Sequence, residues 1–282
     1  MDFTQEGTTK RYRGNSNCCM DDFIPVAYDT YQYGCEFEFY IHTDGSDYEA
    51  IISNIAKDLY ALTNADILVD TVSLPTDKDK DRCMQIKPDI SLNDTGLEIS
   101  TPISTLEGVK YFIKSICPII KKYGYTNEET GFHIHISTIK QDGVNFNFYK
   151  YMLLCNEANL LSSWKPRMGY SQNVMDILTS HSKSKTRQIK TKKGTVWNLE
   201  KVGSNHIEIK SMGGHGYHKE VKKLLKEFTL YANYFDETLQ RDDVKHKQLF
   251  ENHKLMVSDV TDDLKATFVS ALSASGILPA KE

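Results

Sequence analysis

The sequence predicts an α+β fold: an antiparallel sheet with one open face, backed by helices. Three observations carry this reading. Four segments alternate polar and apolar residues in the manner of half-buried strands: GCEFEF from residue 34, GLEIS from 96, GFHIHIS from 131 and HIEIK from 206. Between them lie segments with a 3.6-residue apolar period, the mark of amphipathic helices. Strands buried on both faces, as in parallel sheets, tend to be continuously apolar, so alternation favours antiparallel pairing.

Taken in order, residues 1–30 are polar and patternless and read as an N-terminal arm, followed by a main domain over 31–245. A strand starts at Tyr33 and turns at HTDGSD. Asp47 to Thr63 carries Ile51, Ile52, Ile55, Leu59 and Leu62 on one helical face. LPTDKDKDRC reads as a solvated loop, with short strands near Met84–Lys87 and Gly96–Thr101 beyond it. Ser104-Thr-Leu-Glu107 spells a capping box that opens a helix to about Tyr123, closed by Gly124. Pro118 is expected to kink that helix or end it early. A further helix is expected over FNFYKYMLLCNEANLL, and another from Lys219 to about Leu239. Residues 246–282 are taken as a C-terminal helical extension.

Composition narrows the class. The 282 residues are 40% hydrophobic and carry a net charge of −4, a globular balance with no global pull toward nucleic acid or membranes. No stretch approaches the ~18 apolar residues a spanning helix needs. The first residues lack the apolar core of a secretory signal. Six cysteines without a CxxC pair suggest neither a disulfide framework nor a zinc site. A cytoplasmic protein is expected.

The polar residues of the alternating strands are the informative ones. Glu36 and Glu38 share a face, as do His133 and His135, and Glu208 and Lys210, because residues i and i+2 of a strand point the same way. Glu98 adds a carboxylate from GLEIS. If these strands share one sheet and one face, four glutamates and two histidines meet beside Lys210. Carboxylates packed so closely need a neutralising cation. Oxygen ligands with an occasional imidazole suit Mg²⁺ or Mn²⁺ better than structural zinc. Each strand alone is ordinary; four of them in one chain are not.

In the order GCEFEF, DISL, LEISTP, GFHIHIS and NHIEIK, these motifs resemble the amidoligase family of the glutamine synthetase-like carboxylate–amine ligases, a group common in phage and bacterial genomes. The resemblance spans residues 33–215. It implies a curved antiparallel half-barrel, or funnel, holding ATP and Mg²⁺ (or Mn²⁺), so that 31–245 would be the catalytic domain. It implies metal ligation by Glu36, Glu38, Glu98, His133 and Glu208. His133 would also face phosphate, with His135 as its same-face neighbour in the nucleotide site. Lys210 would face the transferred phosphoryl group. Asp89 and Ser91 would lie on the substrate side, and Arg167 would clamp phosphate or carboxylate. The substrates would be a carboxylate and an amine, free or carried on a macromolecule, in the host cytoplasm if the chain is phage-encoded. Two departures stand out: Lys210 occupies the family's arginine position and loses its bidentate fork, and Thr101 replaces the usual serine.

Other readings of the same residues are a metal-dependent hydrolase, a small-molecule phosphotransferase, and a non-catalytic nucleotide- or nucleic-acid-binding protein. The last would use the six basic residues between Lys183 and Lys193, whose attraction to nucleic acid would be salt-dependent. In GGHGYH, a glycine-rich turn with surface histidines is the expected reading of His215 and His218. Cys35 and Cys155 are expected to be inert core residues.

Overall fold

The computed structural model describes residues 2–6, 9–13, 31–43, 47–70, 82–92, 95–138, 151, 155, 164, 196–198 and 206–239. Its strands are β1 (Asp2–Glu6), β2 (Thr9–Arg13), β3 (Tyr31–Ile41), β4 (Ile67–Asp70), β5 (Met84–Pro88), β6 (Gly96–Ser100), β7 (Gly124–Tyr125), β8 (Gly131–Thr138), β9 (Trp197–Asn198) and β10 (His206–Gly213). Among the described residues the helices are α1 (Tyr48–Thr63), α2 (Leu106–Tyr123) and α3 (Val221–Leu239), with a 3-10 turn at Tyr217–Lys219. Arg167, the basic stretch 183–193 and the extension 246–282 lie outside the described residues. The segment read as an arm contributes the β1–β2 hairpin, whose second strand pairs with β4.

The strands form one open sheet in the order β1-β2-β4-β5-β6-β3-β8-β10-β9, with β7 paired to the end of β3. The expectation of a wholly antiparallel sheet needs one correction, because β4 and β5 run parallel. Ile67, Leu68 and Val69 are all buried. Such a strand is apolar on both faces, as parallel strands are, and shows no alternation for the eye to catch. The remaining pairs are antiparallel.

Helices cover one face. The inward residues of β3, Cys35, Phe37, Phe39 and Ile41, are buried. They join Ile99, Phe132, Ile134, Ile207 and Ile209 of the neighbouring strands in one core. Onto this face α2 lays Val109, Phe112, Ile113, Ile116 and Ile120, the stripe of an amphipathic helix. Truncating a side chain like fully buried Phe112 to alanine costs about 3–5 kcal/mol. α1, with Ile52, Ile55 and Leu59 buried, packs on α2, and so does α3.

Helix ends follow local chemistry. α1 starts where Asp47 accepts from the Glu49 amide at 3.1 Å and stops at Asn64, whose φ of 54° is left-handed. At α2 the cap is Thr105, accepting from Gly108 N–H at 3.2 Å, one residue after the expected Ser104. Ser104 instead pairs its backbone with Tyr33 at 2.8 and 2.9 Å and donates its hydroxyl to Pro102. Nor does Pro118 end α2 early, for the helix runs on to Tyr123. Pro118 and Lys114 are both exposed, while Ile116, Cys117, Ile119 and Ile120 are buried. Solvent can therefore satisfy the Lys114 carbonyl that the proline leaves without a donor, and core burial holds the turn together.

Candidate metal centre on the open face

The face of the sheet away from the helices carries the polar residues of five adjacent strands. Register fixes their order: Lys87 lies opposite Glu98, Glu98 opposite Glu38, Glu36 opposite His133, and His135 opposite Glu208. Asn198 of β9 pairs with Glu208. A bulge in β10 between Ile209 and Met212 shifts the register just beyond Glu208. Ser211 turns back to the Tyr231 hydroxyl at 2.6 Å, and Lys210 stays on the open face beside Glu208.

At the centre, His133 is wrapped by carboxylates. Its Nδ1 is 3.1 Å from Glu36 and 3.5 Å from Glu208, and its Nε2 is 3.3 Å from Glu38. His135 Nε2 is 3.2 Å from Glu36. Glu38 is the deepest acid, accepting from the Gly131 amide at 2.5 Å. Glu208 accepts from the Asn198 side-chain amide at 2.6 Å and pairs with Lys210 at 2.8 Å. Glu98 pairs with Lys87 at 2.9 Å and accepts from the Ser100 hydroxyl at 2.6 Å.

The electrostatics follow from that geometry. Burial pushes the Glu36 carboxyl up, but the charge of His135 nearby and the hydrogen bond with His133 outweigh it and hold Glu36 well below the usual carboxylate range. Glu208 is likewise held low against its burial by His133, His135 and Lys210. Glu98 goes the other way, raised by burial and by the repulsion of Glu36 despite Lys87. Burial depresses His133, yet Glu38 and Glu36 carry it above the ordinary imidazole value. Lys87 and Lys210 are both held up against their burial, chiefly by Glu98 and Glu208 respectively.

Four carboxylates thus face two ammonium groups. Counting only carboxylates against ammonium groups, that leaves an excess equal to one divalent cation. Glu36, His135 and Glu208 offer ligand atoms that all lie within 4.8 Å of one another. The Nε2 atoms of His133 and His135 are buried and make no hydrogen bond, although carboxylate oxygens are near. A misaligned imidazole nitrogen between carboxylates fits a metal better than it fits its present neighbours. The donor set, oxygen-rich with imidazole, suits Mg²⁺ or Mn²⁺.

Of the residues singled out from sequence, Glu36, Glu38, Glu98, His133, His135, Glu208 and Lys210 converge on this face. The three-residue ligand group includes His135; Glu38, Glu98 and His133 line it. Asp89 sits just past β5, accepting from Ser91 N–H at 2.8 Å in the turn that leads to β6. Its charge adds to the field on Lys87. Thr101 accepts from the Cys35 amide at 2.9 Å, a task a serine hydroxyl could share. His215 is exposed, whereas His218 is buried and meets the Thr126 hydroxyl at 3.0 Å, which corrects its assignment to the surface. Cys35 and Cys155 are buried, and burial pushes the Cys35 thiol well up, which keeps it protonated and inert.

Sequence reasoning passed over Lys87, Asn198 and His206. For two of them a signal existed. Lys87 precedes Asp89, and His206 precedes Glu208, by the two residues that put strand neighbours on one face. No family model and no curated protein matches the chain.

Proposed function

We propose that the chain is an ATP-dependent carboxylate–amine ligase working on this open face. The observation that supports it most is the convergence of Glu36, His135 and Glu208, from three adjacent strands, into one group of metal-ligand spacing. The γ-phosphoryl group of ATP passes to a carboxylate oxygen, giving an acyl phosphate and ADP; an amine then displaces phosphate and leaves an amide. Bound Mg²⁺ or Mn²⁺ would neutralise the phosphate oxygens, held by Glu36, His135 and Glu208. Glu38 and His133 brace that group from below. Lys210, held protonated beside Glu208, supplies the fixed positive charge that a phosphoryl transfer needs near its oxygens. Lysine provides this as a point charge where an arginine would grip with two donors.

Metal-dependent hydrolysis is the second reading. Three Glu and His ligands match the number that catalytic metal sites use while keeping a position for water. Calorimetric titration of ATP, with and without Mg²⁺ or Mn²⁺, separates the two. Metal-dependent ATP binding, followed by ADP release with some carboxylate and amine pair, supports the ligase. Metal binding with no ATP binding, and hydrolysis on metal alone, would overturn it in favour of the hydrolase. No described helix is long and apolar enough to cross a bilayer.

A further inference from the structure

His206 lies two residues before Glu208 on β10, and its Nε2 is 3.1 Å from His135 Nδ1. The rings are tilted by 56° with centroids 5.3 Å apart, so an edge nitrogen contact joins them and not a stack. We infer that His206 is the positioning residue of the metal centre: it fixes the rotation and tautomer of His135, so that Nε2 faces the Glu36–Glu208 gap. This rests on the metal-site reading above.

The argument is one of protons and lone pairs. A hydrogen bond between two imidazole nitrogens needs one proton between them, so one ring donates and the other accepts. When His135 Nδ1–H donates to His206 Nε2, His135 Nε2 is left with a lone pair. That atom is buried, has no hydrogen-bond partner, and is 3.2 Å from Glu36. A ligating histidine is ordinarily held in this way, by an acceptor on its other nitrogen. Without His206 the ring could rotate or take the opposite tautomer, which points an N–H at the metal position. β10 therefore delivers both a ligand, Glu208, and the group that aims a second ligand on β8. Glu36 completes the set from β3.

The test uses the full chain, Mn²⁺ and Co²⁺ as probes, and the variants His206→Ala and His206→Gln. Glutamine keeps a polar head that can accept from Nδ1–H. Metal affinity should fall about 10–100-fold in His206→Ala and return to within a few-fold in His206→Gln, with the visible Co²⁺ spectrum following the same order. Nitrogen-15 NMR of histidine-labelled protein without metal reads the ring itself. His135 should show one fixed tautomer in wild type and in His206→Gln, and averaged nitrogen shifts in His206→Ala. Unchanged metal affinity and an unchanged His135 spectrum in His206→Ala would overturn the assignment. Should wild type bind neither metal, the metal-site reading fails, and the NMR result alone decides whether His206 positions His135.

Discussion

Glu38 on β3 stands directly opposite Glu98 on β6, two acids on one face of an antiparallel pair. Like charges so placed repel, and the two turn to different partners: Glu38 to the Gly131 amide, Glu98 to Lys87 and Ser100. Lys87→Met keeps the apolar stem and removes the ammonium group, leaving Glu98 with an uncompensated, largely buried charge. A loss of about 1–3 kcal/mol is expected. Adding Glu98→Gln should recover most of it. Urea midpoints at pH 7 measure both, and a Lys87→Met midpoint equal to wild type would show that the pair holds nothing in place.

Glu36 and Glu38 look equivalent in sequence but occupy different depths. Glu36 belongs to the ligand group, whereas one Glu38 oxygen is committed to Gly131 N–H. Glu36→Gln should therefore weaken Mn²⁺ binding by at least about tenfold, by the loss of a charged ligand. Glu38→Gln retains an acceptor for Gly131 and should weaken it less. Isothermal titration of both variants decides the order; a larger effect at Glu38 would place the metal deeper, against His133.

Much of this architecture was legible in the residues. Period-2 alternation marked β3, β6, β8 and β10 and put Glu36 with Glu38, and His133 with His135, on one side of their own strands, because the pleat allows no other outcome. That all of them share one face of one sheet is set by the register between strands. Helical periodicity likewise marked α1 and α3. What escaped was set by tertiary context. β4 is short and apolar on both faces, so it carries no period and its parallel pairing cannot be read locally. Ser104 against Thr105 as the cap depends on the bridge to Tyr33. Pairing partners are a further case: nothing in the sequence tells that Glu98 is taken by Lys87, or that His206 meets His135, until register brings them together.

Gly213 shows how tightly the floor of the site is built. Its φ is +129°, and a β-carbon there would lie 2.7 Å from both the Gly131 Cα and the Thr130 carbonyl oxygen. Gly213→Ala should cost about 2–4 kcal/mol, from strained backbone and from overlap with backbone that cannot yield. Because Gly131 donates to Glu38, its amide resonance should shift as well. Gly216 is the control: φ is +73°, but a β-carbon would meet only the Lys219 side chain at 4.0 Å. Gly216→Ala should cost only about 1–2 kcal/mol, the left-handed penalty alone. Equal losses at the two positions would refute the packing account.

Acid should loosen the turn that follows β10. Burial, reinforced by Lys219, His215 and Lys121, pushes His218 down to about 4 from an ordinary 6.5. The folded state therefore binds fewer protons than the unfolded chain between those values. Stability from this group is complete above about pH 6.5 and is lost as pH falls toward 4. Solvent screening near the ring reduces the full linkage value to on the order of 2 kcal/mol. Geometry agrees in direction, since the Thr126 hydroxyl lies 3.0 Å from His218 Nδ1 and also accepts from Gly216 N–H at 2.8 Å. A neutral ring can accept the hydroxyl proton, and an imidazolium cannot. Unfolding midpoints of wild type should drop between pH 6.5 and 4.5 more steeply than those of His218→Gln, which has no proton to take up. Parallel curves for the two proteins would mean that His218 titrates alike in the folded and unfolded chain.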